Sequence, residues 1–91
     1  MSSSPMDRNS LEQAYAFFHQ KWRVYSFSTS EKEKDNIEDA ISSYAEGMSR
    51  PLYDFLSGGR EGFLYEHSTF TSDITSAIGT MEKALFGDKA I

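Results

Sequence analysis

The sequence predicts an all-α fold, a small bundle of three or four helices with a short helix and a glycine-rich loop between the long ones. Three observations carry this. Apolar residues recur at steps of three and four in three separate stretches. Serines at capping-box spacing precede two of those stretches, and the one short apolar run, Phe63 to Tyr65, has no second strand to pair with.

The first helix is expected over Ser10 to Tyr25. Ser10 and Gln13 have capping-box spacing, and Leu11, Tyr15, Phe18, Trp22 and Tyr25 then fall on one stripe, widened by Ala14 and Phe17. Trp22 is expected in the middle of the buried face. Ser28, Thr29 and Ser30 suit a turn followed by an N-cap, with Glu33 completing a second capping box.

The second helix, Glu31 to Ser49, places Ile37, Ala40, Ile41, Tyr44, Ala45 and Met48 in register, and its acidic first turns suit the helix dipole. Arg50 precedes Pro51 and is biased away from helix, so a break is expected there. Pro51 then opens a short third helix through Leu56, stopped by Gly58 and Gly59. Arg60 to His67 reads as a helical or extended connector. The last helix runs from Thr69 or Thr71 to Phe86, with Phe70, Ile74, Ala77, Ile78, Met81 and Leu85 in register and Gly87 as its stop. Gly79 inside it marks either a close helix contact or a tolerated weakness. The domain organisation is a flexible N-terminal tail over 1–9, one helical domain over 10–87 and a short tail over 88–91.

A chain of 91 residues buries about 60 to 65% of its unfolded surface, so one core is the limit and association commonly adds stability. No apolar run is long enough for a bilayer, and the start lacks the apolar stretch of a signal peptide, so an intracellular, cytoplasmic chain without membrane contact is expected. With no cysteine, disulfides, thiol catalysis and thiolate zinc sites are excluded. The net charge of −5, with basic residues scattered, argues against direct nucleic-acid binding.

Chemistry-bearing patterns are sparse. His19 and His67 lack the spacing that would set them on one helix face, so neither metal nor cofactor is expected. No Gly-x-Ser-x-Gly elbow supports a nucleophilic serine. Ser57 to Gly62, with Arg60, has the glycines of an anion-binding loop but neither a Walker lysine nor a dinucleotide fingerprint, and reads better as an interhelix loop. Glu31, Asp35, Glu38 and Asp39 share a surface of the second helix with Lys32 and Lys34 interleaved; this is a solvated face, or a docking face for a basic protein through Asp35, Glu38 and Asp39.

Aromatic density is the departure from the ordinary: one Trp, five Tyr and seven Phe. Phe17 and Phe18 are adjacent and diverge by roughly 100°, so both cannot point to the centre of one narrow core. Core filling accounts for much of the excess; the sharper expectation is a flank built from Phe17, Phe18 and Trp22 with Tyr53, Phe55 or Phe63, packed on a second chain. The functional expectation is therefore a non-enzymatic interaction module, a regulator or adaptor that self-associates as a homo-oligomer. Two rivals stand beside it. One is an acidic inhibitor or decoy of a basic nucleic-acid-binding protein, and the other a small enzyme holding an anionic metabolite at a dimer interface through Arg23, Arg50, Arg60 and a glutamate.

Overall fold

The computed structural model describes residues 8–87, so the expected tails over 1–7 and 88–91 lie outside the described residues. Four α-helices follow one another: α1 (Arg8–Phe27), α2 (Glu31–Gly47), α3 (Arg50–Ser57) and α4 (Phe70–Phe86), the last preceded by a 3₁₀ turn at His67–Thr69. No strand occurs among the described residues, and the fold is the expected all-α bundle.

Helix α1 already includes Arg8 and Asn9, ahead of Ser10, and its first described turn is held both locally and from α4. Arg8 Nε donates to Glu12 Oε2 at 2.9 Å, and the same guanidinium donates to the carbonyl of Leu85 at the end of α4 at 3.3 Å. Ser10 is therefore inside the helix, and Arg8 and Asn9 belong to it rather than to a tail. Ser30 caps α2 as expected, its hydroxyl accepting the Glu33 N–H at 3.2 Å, a contact that contributes about 0.5 to 2 kcal/mol. The Glu33 carboxylate does not close the box. It accepts the Ser28 hydroxyl at 2.7 Å, while the Ser30 N–H goes to Ser28 Oγ at 3.1 Å.

The break between α2 and α3 falls at Met48 and Ser49, both extended, rather than at Arg50. Ser49 caps α3 by accepting the Leu52 N–H at 3.4 Å, which lets Arg50 and Pro51 enter the first turn, where the missing proline N–H has no cost. Gly58, at φ 66°, ends α3 in the left-handed region, as its position predicted.

Helices α1 and α4 form the main antiparallel pair, with Arg8 beside Leu85 at one end and the Tyr25 ring 5.2 Å from that of Phe70 at the other. Ala14 and Ala77, both fully buried, allow this close approach. Phe18, Ile41, Leu64, Phe70, Ile74 and Met81 fill the centre. Gly79 is not at a helix contact: it is exposed, and an added Cβ would meet nothing within 4 Å. It is a tolerated weakness of α4.

The connector between α3 and α4 is irregular but built in. Phe63 and Leu64 turn inward and are buried. Leu64 adopts φ 68°, which costs a non-glycine residue about 1 to 3 kcal/mol and persists only where surroundings impose it. The surroundings are three helices. Tyr53 of α3 donates its hydroxyl to the Phe63 carbonyl at 2.8 Å, Ser42 of α2 donates to the Leu64 carbonyl at 2.9 Å, and Asp73 of α4 accepts the Leu64 N–H at 2.9 Å. Asp73, only 5% exposed, also accepts the Thr69 hydroxyl at 3.1 Å and the Arg60 guanidinium.

Candidate interaction surface

The aromatic excess is spent largely within the molecule. Phe18 is fully buried and Phe63 nearly so, so neither can reach a second chain; both leave the expected docking flank. Phe17 turns to the side and stacks on Tyr44, centroids 4.5 Å apart, with Lys21 Nζ over its face at 5.5 Å. Trp22 is half-buried, not central. At 100° per residue Trp22 stays within about 40° of Phe18, on the stripe as expected, yet its ring is left partly exposed and stacks on Tyr25. Tyr53 is half-buried edge-on against Phe63. Of the expected residues outside α1, only Phe55 is exposed, at 39%.

The acidic face of α2 is also smaller than the sequence suggested. Asp35 and Asp39 are exposed, but the Glu38 side chain is only 14% exposed. Its two oxygens are taken by the Tyr25 hydroxyl and by His67 Nδ1, each at 2.8 Å. Glu38 thus ties α1, α2 and the 3₁₀ turn together rather than facing a partner. The arrangement shows in the titration of both neighbours. Burial, and then the hydrogen bond to Glu38, push the Tyr25 hydroxyl up to about 12. The hydrogen bond to the Glu38 carboxylate, and then its charge, raise His67 above the usual imidazole value.

The anion-loop reading loses its donor. Gly58, Gly59 and Gly62 do adopt positive φ, but the Arg60 guanidinium that would grip an anion is committed to Asp73. Arg50 is likewise held by Asp54 at 3.1 Å. Of the three arginines that an anionic-metabolite site would need, Arg23 alone has no carboxylate partner among the described residues. No group of three metal-ligating His, Asp or Glu side chains converges among the described residues.

Arg23 leads to a surface that sequence reasoning missed. Phe27 is 80% exposed and Val24 43%, both on the side of α1 turned away from the core: at 100° per residue, Phe27 lies opposite Phe18. Val24 and Phe27 line a shallow groove of about 770 Å³ together with Ala16, His19, Gln20, Arg23, Ser28 and Glu33. The signal was present in the spacing. Ending the helix at Tyr25 put Phe27 in a turn; the helix continues to Phe27 and aims that ring outward. The same stretch is electrostatically distinct, since residues 13–30 contain Lys21 and Arg23 and no acid in a chain of net charge −5.

Comparison with known proteins adds nothing to this geometry, as no family model, curated protein or solved structure matches the chain.

Proposed function

We propose that this chain is a small non-enzymatic protein-interaction module, a regulator or adaptor, that docks another protein through the outer face of α1. The observation that carries the reading is Phe27, a phenylalanine in a regular helix with 80% of its surface in water. A ring so exposed adds little to the core, and with Val24 exposed one turn away it forms an apolar patch of the kind that marks protein contacts. Val24 and the adjoining groove make the face continuous, and aromatic and arginine side chains together are the usual anchors of protein interfaces.

The reading moves the docking surface from the flank expected in sequence to the opposite side of the same helix. An acidic-decoy role has weaker support, because the face it would use retains Asp35 and Asp39 but not Glu38.

Photo-crosslinking from inside the native host tests it. With a photoreactive phenylalanine analogue at position 27, discrete protein adducts are expected; with the same analogue at exposed position 43 on α2, they are not. Equal adducts from both positions, or none from position 27, would exclude docking through this face.

A further inference from the structure

From the composition of the groove on α1 we infer that its occupant is a second copy of this chain, seated by a two-fold contact that pairs Arg23 of each copy with Glu33 of the other. The inference rests on the docking face proposed above and goes further by naming what covers it.

The argument is charge complementarity within a single patch. A two-fold interface is isologous: if residue i of one copy meets residue j of the other, j also meets i, so the patch must complement itself. This groove does. It holds one arginine, Arg23, and one carboxylate, Glu33, with the apolar side chains of Val24 and Phe27 beside them. The two charges are not paired with each other within the chain. Arg8, Arg50 and Arg60 each have a carboxylate partner in their own chain, at Glu12, Asp54 and Asp73. Arg23 is left without one among the described residues, in a molecule that has acids in excess, fourteen against nine basic residues. Glu33 accepts the Ser28 hydroxyl through Oε1 at 2.7 Å, and no donor among the described residues reaches its Oε2. Two copies meeting face to face supply each charge with its missing partner, twice, and cover Phe27.

The net charge of −5 per chain opposes association in general. The contact limits that cost, because Glu33 is the one carboxylate lining the groove and it meets an arginine. Residues 13–30 contain no acid, and charges beyond about 8 Å are screened at physiological ionic strength. A helix face from Ala16 to Phe27 is only ~17 Å long, below what a standard interface of about 800 Å² per partner covers, so the expected dissociation constant is on the order of tens to hundreds of micromolar.

Sedimentation equilibrium of the full chain from about 10 µM to 1 mM at low salt is the test, with helicity checked by circular dichroism. The wild type is expected to form dimers that weaken as salt is raised. Arg23→Glu and Glu33→Arg are each expected to weaken association at least tenfold, and the double variant to recover to within about threefold of wild type, since the swap restores both pairs. Should Glu33→Arg disturb the start of α2, Arg23→Gln and the isosteric Glu33→Gln remove each charge without reversing it, and both are expected to weaken the dimer. A wild type that stays monomeric to 1 mM, single variants that associate as wild type, or a double variant that is not rescued would each overturn the inference. A monomer that still yields adducts with a different protein from position 27 overturns only the second copy and leaves the docking face standing.

Discussion

Side chains from three helices hold the connector over residues 58–69, whereas the outer face of α1 meets, among the described residues, only Ser28 and Glu33 at the edge of its groove. In the connector, Asp73, Ser42 and Tyr53 bind backbone groups of Phe63 and Leu64, and Arg60 turns back onto Asp73. On α1, Arg23 has no acidic partner among the described residues, and Val24 and Phe27 stand in solvent. The difference teaches where spare chemistry lies. A glycine-rich loop looks available for a ligand, yet its one cation, Arg60, is committed to the same Asp73 that accepts the Leu64 N–H. A regular helix looks purely structural, yet it carries apolar and cationic groups that the fold does not use.

Breaking the connector is expected to have a large effect. Asp73→Ala removes the acceptor of the Leu64 N–H and leaves the strain of that residue without compensation, so a loss of roughly 2 to 4 kcal/mol is expected in urea unfolding. Asp73→Asn keeps one acceptor and should cost about half as much. If Asp73→Ala unfolds at the wild-type midpoint, the connector is not held from α4.

The two sides of α1 should differ sharply in the same assay. Phe18→Ala is expected to cost roughly 3 to 5 kcal/mol, as a fully buried ring. Trp22→Ala should cost about 1 to 2 kcal/mol, because the indole is half-buried. Phe27→Ser should stay within about 0.5 kcal/mol of wild type. Equal losses at Phe18 and Phe27 would erase the distinction between inner and outer faces. A smaller effect of opposite sign is expected at Gly79→Ala, which adds a methyl in open space on a helix and should stabilise by up to about 1 kcal/mol.

The Glu38 cluster yields the smallest effect and a definite sign. His67 has its pKa raised by Glu38, so the stabilisation is fully present below the unfolded imidazole value and is lost as pH rises through the folded one. NMR titration should show His67 titrating above 6.5, its unperturbed value, and Glu38→Gln should bring it down. An unchanged His67 titration in that variant would dissolve the cluster. Tyr25, pushed up to about 12, should stay neutral through the whole range.

Much of the architecture was legible because it is local. The Ser30 cap, the register of Ile37 and Ile41, the Gly58 stop and the apolar stripe of α4 each depend on residues within a turn or two of one another. What escaped depends on separation in sequence. Asp73 reads as an ordinary acid in a first helical turn, and nothing local reveals that Arg60 and Leu64 converge on it. The start of α1 was missed for the same reason, since Arg8 is held by Leu85 at the far end of the domain. The helical stripe of α1 located Trp22 and Phe18 on one face but not how deeply each ring sinks, which depends on the packing of α2 and α4, and Phe27 was missed through two residues of helix.

The cysteine-free sequence permits a direct test of the claim that the outer face of α1 is a covered protein-docking surface. Phe27→Cys and Ser43→Cys variants would be labelled with a maleimide, first as dilute purified protein and then within the native host. Both thiols should react fully when the protein is dilute, and within the cell the thiol at position 27 should be strongly protected while that at position 43 is not. Equal labelling of the two positions in the cell would contradict the account.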